Sequence, residues 1–193
     1  MNLPNQLTVF RLILTAIFVA VLSGPAFDGK YTLGLLLFVL AAITDFLDGY
    51  LARKLDLITN FGKLMDPLAD KVMVMAGFVL LVELGKLPAW AVIIILTREF
   101  LVTGLRLVAA SHGRVMAAEA LGKHKTIWQM ITLIYFLLSL TVVESAMSWL
   151  APLFTWEITS TQVMGNLLLA IVLTLTIWSG ISYLAKNWQV IQD

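Results

Sequence analysis

Six stretches of about twenty mostly apolar residues run through this chain, and that is the length an α-helix needs to cross the hydrocarbon core of a bilayer. Lipid offers no water to backbone amides, so such a segment has to close its hydrogen bonds internally, as helix. The stretches run from about Leu7 to Leu22, Tyr31 through Thr44 and on to Arg53, Gly62 to Val82, Pro88 to Ala110, Lys125 to Val143, and Val163 to Leu184. Turn chemistry separates them at Gly24-Pro25, Leu84-Gly85-Lys86-Leu87-Pro88, Ser111-His112-Gly113 and Ala151-Pro152. Of the 193 residues 60% are hydrophobic and 13% charged, where a soluble domain has about a quarter charged. The expectation is an all-α integral membrane protein of six transmembrane helices, forming one domain over residues 1–193. Met1 to Gln6 has no basic run and no clear cleavage site, so it reads as retained, either frayed or lying in the membrane interface. The absence of cysteine excludes disulfides, a thiolate nucleophile and thiolate-ligated metal.

Lysine and arginine set the orientation, because they concentrate on the cytoplasmic side of membrane proteins. Threading six spans with the N-terminus in the cytoplasm leaves only Lys30 and Lys86, of thirteen basic residues, on the far side. Asp28, Glu83, Glu144 and Glu157 also fall there. Both termini are therefore expected in the cytoplasm. Trp90, Trp149, Trp156 and Trp188 suit interfacial anchoring.

Against this apolar background one short window carries four aspartates, in the pattern D-x2-D-G-x2-A-R-x8-G-x3-D-x3-D. Carboxylates at membrane depth are costly and mark function, and four together repel unless cations neutralise them. Residues three and four apart share a helix face, so Asp45, Asp48, Gly49 and Ala52 line one stripe, and Gly62, Asp66 and Asp70 another. Only residues 55–61 separate the two helices, which makes them antiparallel neighbours able to oppose their acids. Such a set of hard oxygens suits Mg²⁺ or Mn²⁺, with room for two ions if carboxylates bridge. Gly49, Ala52 and Gly62 leave space for a ligand, and Arg53 offers a planar fork to phosphate oxygens. Two other readings fit the same acids: ion pairs with Arg53, Lys54, Lys63 and Lys71, or a proton or cation pathway.

This pattern resembles, at every defining position, the signature of the CDP-alcohol phosphotransferase family. The likeness extends to Asn2 through Arg11, Thr97 through Arg106 and Leu121 through Thr126, where the chain is most similar to bacterial members that use a glycerol phosphate acceptor. His124 departs from it, standing between the two lysines where an apolar residue is expected. The resemblance implies transfer of the phosphatidyl group of CDP-diacylglycerol to sn-glycerol 3-phosphate, giving phosphatidylglycerol phosphate and CMP by direct in-line displacement. It implies Asp45, Asp48 and Asp66 as metal ligands, and Asp70 as the base, a metal ligand, or both. Asn5 and Thr8 would contribute to the nucleotide pocket with Asp48, Gly49, Ala52, Arg53 and Gly62. It also implies a homodimer in the bacterial cell membrane, its active site facing the cytoplasm among membrane lipids. No nucleic acid partner is expected.

A phosphorylated acceptor needs cations. Arg98 and Arg106 lie two turns apart on the fourth span, on roughly one face. Arg114, Lys123 and Lys125, with Thr126, lie in or near the following loop. Arg98 sits deep in an apolar run and needs a partner. Glu99 is expected to point elsewhere on the helix, which leaves a ligand or a motif acid to meet the guanidinium. His124 reads as a loop residue and not a metal ligand. The basic set alone does not choose glycerol phosphate over inositol phosphate. A small cation-coupled transporter would instead spread its acids over several spans.

Overall fold

A computed structural model describes residues 3–54, 60–111, 120–155 and 161–187. Among them there is no strand. Helix α1 spans Leu3–Ser23, α2 Lys30–Lys54, α3 Asn60–Glu83, α4 Ala89–Ser111 and α5 Ala120–Thr141. A short 3₁₀ helix, Ser145–Leu150, leads into α6, Ala151–Thr155, and the long α7 covers Val163–Lys186. Six of these helices have 21 to 25 residues, the length of the six apolar stretches. Two of them, at Asn5–Ser23 and Val163–Lys186, are long and apolar enough to cross a membrane.

The helix ends follow from local chemistry. At the end of α3, Gly85 takes φ +67°, a left-handed conformation that only glycine adopts without strain. The Lys86 amide then reaches back to the Leu81 carbonyl at 2.8 Å and the Gly85 amide to Val82 at 3.0 Å, which satisfies carbonyls the helix leaves open. Proline at 88 then precedes α4. Three boundaries differ from the sequence expectation. Helix α1 begins at Leu3, inside the segment read as frayed or interfacial. Helix α5 begins at Ala120, five residues before the expected start at Lys125, so Lys123 is helical as well. The expected break at Ala151-Pro152 is the start of α6, since proline is tolerated in a first helical turn, where its missing amide would have no partner.

The long helices alternate in direction. At one end Ser23 meets Glu83 at 3.3 Å and Ser145 meets Asp28 at 2.8 Å. There too, the Glu144 carboxylate accepts from the Tyr31 and Thr32 amides at 2.6 and 2.8 Å, capping α2. Between the ends lies an apolar core of Leu14, Phe18, Phe38, Phe78, Leu133, Phe136 and Leu137. Glycines let helices close on it: a Cβ on Gly77 would come within 3.0 Å of Leu133, and one on Gly165 within 2.8 Å of Phe136. The outward faces are apolar as well, with Ile13, Leu36, Val79, Ile93, Ile131 and Trp178 all exposed. An apolar exterior of this kind marks a membrane or partner surface, and with the two spanning-length helices it is consistent with a membrane protein. Trp90 and Trp149 are exposed, as interfacial anchors would be.

Candidate active site

The inward face of α1 changes character along its length. Its second half presents Leu14, Phe18 and Leu22 to the core, while its first half buries Asn5, Thr8 and Arg11. These lie at intervals of three, so they share a face. Arg11 is wholly buried, and its Nη1 lies 2.8 Å from Asp45 Oδ1 on α2. Burying a guanidinium is costly unless it is paired, and this pairing ties the first motif acid to α1. The Asp45 side chain nevertheless remains 43% exposed, and it borders a cavity.

That cavity, ≈ 270 Å³, lies among α2, α3, α4 and α5. Its apolar wall includes Met73, Phe78, Ile95 and Met130, and its polar wall Asp45, Lys71, Glu99, Arg106, Lys125 and Gln129. A second cavity, ≈ 420 Å³, shares Lys71, Glu99, Arg106, Lys125 and Thr126 with the first and adds Arg98 and Lys123. Five cations and one carboxylate therefore line the second space.

Four of the cations are held by neighbouring side chains, two of them by one carboxylate. Lys125 is buried and pairs with Glu99. Arg98 Nη1 lies 3.5 Å from the same Glu99 oxygen. Its stem runs past Gly180 of α7, where a Cβ would come within 3.1 Å of Arg98 Cγ. Arg106 Nε donates to Tyr183 Oη at 3.1 Å, with the guanidinium carbon 5.5 Å from the ring centroid. Lys71 donates to the Thr103 hydroxyl, which itself donates to the Glu99 carbonyl. A ring of held cations around a space of this size suits an anion, and planar guanidinium forks suit phosphate.

Of the residues singled out from sequence, Arg98, Arg106, Lys123, Lys125 and Thr126 come together around the second cavity. Asn5 and Thr8 are buried on the face of α1 that carries Arg11. Asp48, Gly49, Ala52 and Arg53 fall in α2, and Gly62, Asp66 and Asp70 in α3, but their side chains lie outside the described residues, as does Arg114. His124 is exposed on α5. One expectation is corrected: Glu99 does not point away from Arg98 but pairs with it, because its carboxylate turns back into the cation cluster. Asp45 has a partner, Arg11, from outside the four cations considered for it. Sequence reasoning missed Arg11, Lys71, Glu99, Gln129 and Tyr183 as site residues. Only the polar spacing Asn5, Thr8, Arg11 within an apolar helix could have signalled one of them.

The donor set fits a hard divalent cation. The motif supplies four carboxylates on two helices, the chain has no thiolate, and Asp45 opens onto the cavity. Among the described residues no three acidic or histidine side chains form a cage by themselves.

A family model for CDP-alcohol phosphatidyltransferases matches residues 1–178. The chain is 40% identical to a Bacillus subtilis protein named CDP-diacylglycerol--glycerol-3-phosphate 3-phosphatidyltransferase, over 99% of this chain and 97% of that one. Proteins of the same name from Rickettsia felis and Pseudomonas fluorescens are 39% and 36% identical, over 94% and 97% of this chain and 93% and 91% of theirs.

Proposed function

This chain belongs to the CDP-alcohol phosphatidyltransferase family, and on that premise we propose that it transfers the phosphatidyl group of CDP-diacylglycerol to sn-glycerol 3-phosphate, giving phosphatidylglycerol phosphate and CMP. The observation that carries the reading is the shared wall of the two cavities. It sets Asp45, the first acid of the motif, in the same space as Lys71, Arg106 and Lys125, next to a second space lined by five cations. A phosphorylated acceptor is the substrate such a pocket is built for.

In this reading Asp45, Asp48, Asp66 and Asp70 would hold one or two Mg²⁺ or Mn²⁺ ions. Bound divalent metal supplies charge screening for the pyrophosphate and stabilises the departing CMP. The chain does the rest. Asn5, Thr8, Gly49, Ala52 and Gly62 shape the nucleotide pocket, and Arg53 holds donor phosphate oxygens. Arg98, Arg106, Arg114, Lys123, Lys125 and Thr126 hold the acceptor phosphate. Asp70 takes the proton of the acceptor's primary hydroxyl as that oxygen bonds to the phosphatidyl phosphorus. The bond from that phosphorus to the CMP phosphate breaks, and CMP leaves with the electron pair. The apolar wall of Met73, Phe78 and Ile95 keeps water, the competing nucleophile, scarce.

We assign the chain six spans in one domain over residues 1–193, both termini and the site facing the cytoplasm of a bacterial cell. The charge bias and the gathering of the site at one end of the bundle support this. A second copy of the chain as partner rests on the family likeness; crosslinking in native membranes checks it. The test of function is CMP release from CDP-diacylglycerol by purified protein with Mg²⁺. Glycerol 3-phosphate should drive release, while unphosphorylated glycerol should not. Faster release with inositol phosphate would change the acceptor, and no release with any acceptor would favour the transporter reading.

A further inference from the structure

One buried side chain in the first cavity has no task in the reaction just described. Gln129 on α5 is 2% exposed, and its Nε2 amide has no hydrogen-bond partner among the described residues. Buried polar groups are almost always paired, so an orphaned donor asks for an explanation. Gln129 borders the cavity that also holds Asp45 and Lys125. The other neutral polar side chain there, Thr126, already donates to the Gly122 carbonyl at 3.1 Å. Gln129 is thus the uncommitted neutral donor of a wall whose remaining parts are ions and apolar groups such as Met73, Phe78 and Met130.

Gln129 and Lys125 are four residues apart on one helix, so they share a face, roughly 6 Å apart along the axis. That offset matches a three-carbon alcohol phosphate whose phosphate end meets Lys125. The acceptor has two hydroxyls. One attacks. The other, on the central carbon, is carried into a largely apolar cavity and loses its water, so it too needs a partner.

We infer that Gln129 is a specificity-determining residue for the acceptor, its side-chain amide donating to the central, non-reacting hydroxyl of the glycerol phosphate. The inference rests on the acceptor reading above and deepens it. The amide turns about its terminal torsions to meet the hydroxyl, and the orphan is satisfied only when the correct acceptor is bound. A site built to bond a hydroxyl discriminates strongly against an analogue that lacks it.

The test compares sn-glycerol 3-phosphate with 3-hydroxypropyl phosphate, which keeps the attacking hydroxyl and the phosphate but lacks the central hydroxyl. CMP release by the purified protein gives kcat/KM for each. The unaltered enzyme should prefer glycerol 3-phosphate by roughly ten- to hundredfold, the range for leaving a buried polar group unpaired. Gln129→Met, close in size and without donors, should bring the two acceptors to within about threefold, by loss on glycerol 3-phosphate alone, with an unchanged KM for CDP-diacylglycerol. Gln129→Asn, a shorter donor, should retain part of the preference. Removing an orphaned buried amide should not lower the unfolding temperature, so Gln129→Met is expected to fold. If Gln129→Met lowers both acceptors by one factor and keeps their ratio, the residue is structural and this inference falls alone. If the unaltered enzyme does not use glycerol 3-phosphate, the acceptor reading falls and takes this inference with it.

Discussion

Both ends of the helical bundle bury charge, and they use it differently. At the end formed by the α1–α2 and α3–α4 connections, Glu144 binds two backbone amides and the Thr32 hydroxyl, and Lys30 donates to the Gly24 carbonyl at 2.6 Å. These charges satisfy main chain left open at helix ends. At the other end charge meets charge or aromatic oxygen beside a cavity: buried Arg11 with Asp45, buried Lys125 with Glu99, and the exposed Arg106 with Tyr183. The difference teaches that burial of an ionisable group does not by itself mark a site. A group whose bonds are consumed by backbone is a fastener, while one held at the edge of open space by another side chain remains available to a ligand.

The comparison breaks first at the acids. Asp70→Asn should lower kcat by about 10²–10⁴-fold, the usual contribution of a general base, with CDP-diacylglycerol binding largely kept. Asp45→Asn should abolish turnover in a protein that stays folded in detergent. Binding and turnover measured on one preparation decide the matter; if both fall together for Asp70→Asn and excess Mg²⁺ restores both, Asp70 is a metal ligand and the base lies elsewhere.

If Arg106 holds the acceptor phosphate, Arg106→Ala removes a charge-assisted contact worth about 1.5–3 kcal/mol. The KM for glycerol 3-phosphate should rise roughly ten- to hundredfold. A raised KM for CDP-diacylglycerol with an unchanged acceptor KM would move this arginine to the donor side.

Glu144→Ala tests the opposite end. It strips the α2 amides of their partner and should cost about 1–3 kcal/mol of stability, read as a lower unfolding temperature in detergent. Turnover per folded molecule should not change. A shift in either KM would mean that the two ends are coupled, and the division drawn here would fail.

Tyr183→Phe makes the finest cut. It keeps the ring beside Arg106 and deletes only the hydroxyl, a bond worth about 0.5–1.5 kcal/mol. The acceptor KM should rise by no more than about tenfold, with donor KM and stability nearly unchanged.

Much of this was legible in the sequence. Apolar stretch length located the long helices to within a few residues, since an α-helix is the local way to hide backbone from lipid. Arg98 was legible too, because charge deep in an apolar run stands out, and Arg106 shares its face, while Lys123 and Lys125 were marked by the family likeness of Leu121 through Thr126. The pairings were not. Tyr183 is 77 residues from Arg106, and no local pattern joins them. Glu99 was misjudged because neighbours on a helix diverge at Cβ, whereas a long side chain can bend back to an adjacent cation. Arg11 enters a sequence reading only through the charge bias and the family likeness, although the polar stripe it completes with Asn5 and Thr8 was there to be seen. The start of α5 was hidden because its first turns are polar and, in a membrane protein, look like loop.

The Glu144 cap also has a consequence for how the chain is made. Its carboxylate binds the amide of Tyr31, 113 residues earlier. At about 5–20 residues per second, a ribosome needs roughly 6–20 s to deliver the glutamate after the tyrosine. For that interval α2 exists with its first amides waiting. The helices that carry the acids and most of the cations, α1 to α4, are synthesised before this latch can close. The end of the bundle away from the chemistry is therefore fastened late, and a nascent chain stalled before residue 144 would hold the acid window and Arg106 while its far end stays unlatched.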